Sequence, residues 1–287
     1  MSRKHPIIAV TGSSGAGTSS VKTAFEQLFQ QCGITPMLVD GDGFHRYPRA
    51  EMSRLTAKAD RENGHFSVFG TEANLFKELE DLLQHYGEQG YGTIRHYVHD
   101  EIQAQQYQQE PGTFTQWQEE DRGSDLLFYE GLHGALVHEC INIAQHVDLK
   151  VGVVPVINLE WIQKIQRDTG ERGYDKHQVK AAILRRMHDY VNIITPQFSF
   201  TDINFQRIPT VDTSDPFAAT RIPTNEESLV VIHFRKPEKF DIDFPYLQSK
   251  LNGCLSRPDT LVISADKMTL AIEVIFEPIV QQMMSSR

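Results

Sequence analysis

A short apolar run, Ile7-Ile8-Ala9-Val10, leads through one threonine into Gly12-Ser13-Ser14-Gly15-Ala16-Gly17-Thr18-Ser19-Ser20. The chain then places Val21, Phe25, Leu28 and Phe29 at helical spacing. A buried strand, a glycine-rich turn and an amphipathic helix, in that order, form the context a phosphate-binding loop needs. Glycines let the backbone approach phosphate oxygens and turn its N–H groups towards them, and the start of the helix adds its positive dipole end. The usual pattern is G-x-x-x-x-G-K-[ST]. Gly12 and Gly17 take the two glycine positions and Ser19 the hydroxyl position that holds magnesium, but Thr18 stands where the lysine belongs. A plain Gly/Ser turn is the bland alternative, and strand, spacing and hydroxyls together weigh against it. The charge of a transferring phosphate has to be met from elsewhere in the chain.

The rest of the sequence alternates strand and helix signals. Met37-Leu38-Val39 reads as a second strand ending in Asp40-Gly41-Asp42-Gly43, Leu126-Leu127-Phe128-Tyr129 as a third and Leu149 to Val156 as a fourth. Three more strands are expected around 203–211, 228–234 and 260–264. Helices are expected over 49–62, 71–86, 158–169, 176–194 and 267–284. Residues 104–124, rich in Gln and Glu around Pro111-Gly112, read as an exposed loop or flap. This alternation predicts an α/β fold with a mostly parallel sheet and helices on both faces. A chain of 287 residues suits either two domains or one large α/β domain. It is long enough to bury about 75% of its unfolded surface without a disulfide or metal staple.

Composition excludes several classes. Lys plus Arg number 28 against 38 Asp plus Glu, a net charge of −10, where a general nucleic-acid binder usually carries a basic surplus. The longest mainly apolar stretch, Leu149 to Leu159, is broken by Lys150, Pro155 and Asn158 and falls short of the ~20 residues a bilayer span needs. The basic start, Met1 to Pro6, precedes an apolar run too short for a secretory signal, so a soluble cytoplasmic protein is expected. Cys32, Cys140 and Cys254 are far apart and odd in number, which argues against a disulfide framework.

Three further segments carry chemistry. Asp125-Leu126-Leu127-Phe128-Tyr129-Glu130-Gly131 sets a carboxylate at the end of a buried strand, where an acid can touch Mg²⁺ or its water. Asp42, between two glycines beyond the second strand, is placed to take a proton from an attacking hydroxyl, with His45, Arg46 and Arg49 bringing cations to the same turn. Asp40 is the rival base, ranked lower because it sits closer to the strand. In the segment Asn158 to Gly173, helical spacing puts Lys164, Arg167, Asp168 and Arg172 on one face, as in a lid closing over phosphates. The bland alternative there is a solvated helix with an intrahelical Lys164–Asp168 pair. His96 and His99 have zinc-like spacing but no completing ligands, and Tyr97 between them could contact a substrate.

On these residues the sequence resembles the bacterial short form of the phosphoribulokinases over essentially its whole length. The resemblance is carried by GSSGAGTSS at 12–20, GDGFHR at 41–46, LLFYEGLHG at 126–134, VGVVPVINLEWIQKIQRD at 151–168, ITPQFSFTDINFQR at 194–207 and VDTSDPFAA at 211–219. It implies a P-loop kinase with a mixed, mostly parallel sheet flanked by helices, one domain over 1–287 with a lid around 158–175. It also implies ATP-dependent phosphorylation of D-ribulose 5-phosphate to ribulose 1,5-bisphosphate. Asp42 would be the general base, residues 12–20 the ATP loop, and Ser19 and Glu130 the magnesium-linked pair. Lys164 would supply the cation missing from the loop, Arg167 and Arg172 would belong to the lid, and Asp168 would be a further active-site acid. His45, Arg49, Tyr97 and His99 would face the sugar phosphate. A homo-oligomer, with activation by NADH and inhibition by AMP, is implied as well. One departure stands out: family members carry a lysine shortly after the Arg49 position, where this chain has Met52-Ser53-Arg54. The rival readings are a related kinase for another sugar phosphate or a nucleoside, and a nucleotide-responsive regulator without turnover. The regulator has no use for Asp42, Glu130 and Lys164 together.

Overall fold

In this computed structural model, residues 4–13, 17–120, 123–170 and 173–285 are described, with Ser19 by its backbone alone. The opening strand forms as β1 (Ile7–Thr11) and the opening helix as α1 (Thr18–Cys32). Every residue of β1 is buried, as expected of a central parallel strand covered on both faces. The other strands of the main sheet are β2 (Pro36–Asp40), β3 (Leu126–Gly131), β4 (Leu149–Val153), β5 (Ile203–Pro209), β6 (Ser228–Phe234), β7 (Cys254–Arg257) and β8 (Thr260–Ser264). They lie in the order β7-β8-β6-β5-β4-β1-β3-β2. The run from β2 to β5 is parallel, whereas β6, β8 and β7 each pair antiparallel with their neighbours. The sheet is therefore mixed and mostly parallel, flanked by helices.

Alternation along β1 sorts the core into two layers. Ile8 and Val10 join Val21, Phe25 and Phe29 of α1 and Ile272, Ile275 and Phe276 of α8 (Met268–Ser285). Ile7 and Ala9 face the opposite layer with Leu79, Leu83 and Tyr86 of α3 (Phe76–Gln89). The remaining helices are α2 (Arg49–Arg61), α4 (Glu101–Tyr107), α5 (Ile157–Gly170), α6 (Lys176–Arg185) and α7 (Phe244–Leu251). None among the described residues is long and apolar enough to cross a membrane.

Four boundaries differ from the sequence expectation. The helix expected over 71–86 is a 3-10 turn, Thr71–Ala73, followed by α3. Asn74 separates the two because its amide donates to the carbonyls of Val68 and Gly70, a local bond that competes with helix formation. The expected flap at 104–124 holds the end of α4, a helix whose start is capped by the Asp100 carboxylate, and a two-residue strand Gln118–Glu119 paired with Thr93–Ile94. The fourth strand stops at Val153 rather than Val156, just before Pro155, which has no N–H to give the ladder. The helix expected over 176–194 ends at Arg185. One helical turn, Met187–Asp189, a π-helix, Tyr190–Ile194, and a 3-10 helix, Thr195–Ser199, follow, with the Thr195 hydroxyl donating to the Tyr190 carbonyl. Strand β7 escapes the sequence reading because all four of its residues are exposed, leaving no apolar alternation.

Phe25 is the keystone of the α1 layer, with ring centroids 4.7 Å from Phe276, 5.1 Å from Phe128 and 5.8 Å from Phe29. Phe25→Ala is expected to cost about 3–5 kcal/mol, read as a lower urea midpoint at unchanged slope.

Candidate active site

The parallel sheet brings three chain segments to one edge. Val10 and Asp40 are both in register with Glu130, so the carboxyl ends of β1, β3 and β2 lie side by side. The phosphate loop, Glu130 and the Asp40–Asp42 turn therefore form a row, at the end of the strands where open α/β sheets bind ligands.

After β2 the chain makes a tight 3-10 turn, Gly41–Phe44. The Asp40 carboxylate closes it by accepting from the Asp42 N–H at 2.9 Å. This gives Asp40 a capping role. The glycines on either side of Asp42 serve close approach rather than conformational freedom, since neither has a positive φ. A Cβ on Gly41 would come 2.5 Å from the Tyr129 hydroxyl, and one on Gly43 would strike the Arg95 carbonyl.

The Asp42 carboxylate is half-buried, and its Oδ1 lies 3.1 Å from His45 Nε2. On its other side, His45 Nδ1 lies 2.8 Å from Asn74 Oδ1. The Asn74 amide nitrogen donates to two carbonyls, so Oδ1 must be the acceptor and His45 Nδ1 must carry a proton. A lone pair on Nε2 would then face a carboxylate, so Nε2 is protonated too and the ring is an imidazolium. Burial opposes that charge, but Asp42 and Asn74 override it and raise the His45 pKa above 6.5. Burial would likewise raise Asp42, yet the charge and hydrogen bond of His45, with His99 beyond, hold it at about 2. Its second oxygen lies 3.8 Å from His99 Nε2, which is 3.4 Å from Asp40 Oδ2. Arg49 donates from Nε to the Tyr97 hydroxyl at 3.2 Å and from Nη2 to the His99 carbonyl at 2.9 Å. The four residues expected to face a sugar phosphate thus meet around Asp42.

Two contributors escaped the sequence reading. Arg95 donates to the carbonyls of Gly43, at 2.8 Å, and His45, and its guanidinium lies over Phe114 at 3.8 Å and Trp117 at 4.7 Å. It braces the Asp42 turn from behind. Asn74 fixes the tautomer of His45. Neither residue sits in a motif, and both act across more than 25 positions of sequence, so no local spacing points to them.

At the other end of the row, α1 begins at Gly17, whose φ of 99° lies in the left-handed region. The helix has no side-chain cap and no acidic residue in its first turn, which leaves its N–H groups and dipole open to an anion. Those features fit a nucleotide phosphate. The Thr18 side chain turns to the Glu130 carboxylate, whose pKa is raised chiefly by burial and lowered in part by that bond. A half-buried carboxylate oxygen next to a phosphate loop suits a hard divalent cation. Gly12 and Ser13 are buried at the start of the loop and Ser20 is exposed on α1. Ser14, Gly15, Ala16, the Ser19 side chain and Arg172 lie outside the described residues.

On α5, Glu160, Lys164 and Asp168 form a buried stripe at four-residue spacing. Lys164 Nζ donates to Asp168 Oδ2 at 2.5 Å, and Arg167 donates twice to Oδ1 at 3.0 Å. The solvated Lys164–Asp168 pair is thereby replaced by a buried one. Burial first, then the charge of Arg186, pulls Lys164 down to about 8, against the opposing pull of Asp168. Arg54 is turned outward, in a two-pronged pair with Glu51 at 2.6 and 2.7 Å.

Comparison with known proteins gives these positions a lineage. Residues 7–214 match the model of the phosphoribulokinase / uridine kinase family. The chain belongs to that family. Over 289 residues it is 54% identical to a phosphoribulokinase of Nitrobacter vulgaris, covering 100% of this chain and 99% of the relative. It is 53% identical to a probable phosphoribulokinase of Escherichia coli K12, over 100% and 99% of the two chains. The solved structure of the phosphoribulokinase from Rhodobacter spheroides superposes with a TM-score of 0.90 at 50% identity, covering 99% of each chain. Family membership makes the chain a P-loop kinase, a class that uses ATP.

The charge assigned to His45 is directly measurable. In an NMR titration its ring is expected to titrate above pH 6.5. In Asp42→Asn the opposing effect of burial dominates and the midpoint should fall below that value; an unchanged midpoint would show that Asp42 does not hold the proton.

Proposed function

We propose that this chain transfers the γ-phosphoryl group of ATP to the C1 hydroxyl of D-ribulose 5-phosphate, giving ribulose 1,5-bisphosphate. The reading is carried by one observation: an Asp42 carboxylate held ionised by His45, one strand away from Glu130, in a chain matched end to end by relatives named phosphoribulokinase. Asp42 accepts the proton of the hydroxyl as its oxygen attacks phosphorus, and the bond to the ADP oxygen breaks in line. Asp42 is a weak base at about 2, so it serves in a late transition state, when the hydroxyl has grown acidic. Arg49, Tyr97, His99 and His45 hold the sugar phosphate. Residues 12–20 hold the ATP phosphates, with Lys164, Arg167 and Arg172 closing from a lid around 158–175 of one domain. Ser19 and Glu130 would hold magnesium, which neutralises phosphate charge when bound. The sequence resemblance further supports a cytoplasmic homo-oligomer responsive to NADH and AMP.

Asp42→Asn is expected to lower kcat by at least ~10²-fold with the KM for ATP little changed. Steady-state assay of the purified variant decides it, and near-normal turnover would remove Asp42 from the mechanism.

Lys164→Ala is expected to lower kcat by about 10²–10³ if the ammonium leaves Asp168 for the phosphates, with Lys164→Arg recovering only part. A purely structural pair would instead lower the melting temperature and leave kcat within about twofold.

A further inference from the structure

His65, His188 and Asp189 meet outside the row of strand ends, and none of them has a part in the proposed transfer. A nitrogen from each histidine and a carboxylate oxygen of Asp189 all lie within 4.8 Å of one another. His65 Nε2 is 2.8 Å from Asp189 Oδ2, and His188 Nδ1 is 3.1 Å from Oδ1. The two rings lie side by side, tilted by 56°, with centroids 4.7 Å apart. Two imidazoles and a carboxylate are donors of the zinc class rather than the all-oxygen set magnesium prefers.

The site has an anchored half and an adjustable half. Asp189 is buried, and its Oδ2 also accepts from the Ser67 hydroxyl at 2.7 Å. It packs on Gly70, where a Cβ would lie 2.7 Å from the same oxygen, so only glycine leaves the carboxylate its place. Such an outer hydrogen bond orients a ligating carboxylate. The histidine side chains are 35% and 67% exposed, so solvent rather than packing bounds them on their outer side. Around a tetrahedral ion with bonds of about 2.0–2.1 Å, ligand atoms stand roughly 3.3–3.4 Å apart, so the two nitrogen–oxygen contacts need to open by only a few tenths of an ångström, while the two nitrogens already lie within 4.8 Å of each other. Exposure on the histidine side leaves room for a water as the fourth ligand.

We propose that His65, His188 and Asp189 form a three-ligand site for one zinc-class divalent ion, joining the 65–70 segment to the turn before the π-helix. The bland alternative is two histidines hydrogen-bonded to a shared carboxylate without affinity for metal. Titration calorimetry of ZnCl₂ into the metal-free full-length chain, in a buffer that does not chelate, separates them. The expected result is one tightly bound zinc per chain. Affinity should fall at least tenfold in His65→Ala and in His188→Ala, and stay at the parent value in the surface control His138→Ala. Both test residues are exposed, and circular dichroism melts verify that the variants fold. Absence of zinc binding by the parent, or parent affinity in either test variant, overturns the proposal.

Discussion

The chemistry of this protein depends on which way one amide points. Asn74 donates to the carbonyls of Val68 and Gly70, which leaves its oxygen facing His45. That contact fixes the proton on Nδ1, and Asp42 against Nε2 then raises His45 towards the imidazolium, which in turn holds Asp42 as a carboxylate. A nearby histidine shows the opposite outcome. Burial, helped by the charge of His45, pushes His133 down to about 3; Asp42 pulls on it by charge alone, so it stays neutral and donates to the Phe69 carbonyl. Two histidines in similar burial thus differ in charge because one has an anion beside it.

The same economy of partners governs the phosphate end. The loop lacks the usual lysine, and the cation that could replace it, Lys164, is buried against Asp168. A buried pair is a poor source of stability, since desolvation offsets much of the attraction. It is a good store of a charge that is wanted elsewhere. Under the proposed transfer, a phosphate anion at the loop would offer Lys164 a second partner, and Arg167 would remain to keep Asp168 satisfied. Beside it, Glu160 accepts from the Tyr190 hydroxyl at 2.8 Å, which ties the helix to the π-helical segment behind the site.

Much of this was legible in the sequence, for reasons that can be stated. The strand–loop–helix opening and the acids ending β2 and β3 are local signals, and parallel pairing then brings them together whatever the rest of the chain does. The i, i+4 spacing likewise offered a Lys164–Asp168 pair, as the bland alternative to a lid face, and the two do meet. What spacing cannot report is burial, and a solvated pair and a buried one look alike in sequence. Asn74 and Arg95 were invisible because they act through backbone carbonyls, which any residue supplies. Asn74 also misled the helix boundary, since its side-chain bonds break a pattern that otherwise runs on from Thr71. The exposed strand β7 left no apolar alternation to read.

Substrate choice tests the account most directly. ATP-dependent product formation, followed in a coupled assay, is to be compared for D-ribulose 5-phosphate, ribose 5-phosphate and uridine at equal concentration. The account predicts that ribulose 5-phosphate is turned over with kcat/KM at least ~10²-fold above the others, because uridine lacks the phosphate that the proposed site would hold and ribose 5-phosphate has an aldehyde or hemiacetal at C1 in place of the primary hydroxyl that would attack. Comparable or faster turnover of uridine or ribose 5-phosphate would contradict it, and so would ATP binding without turnover of ribulose 5-phosphate.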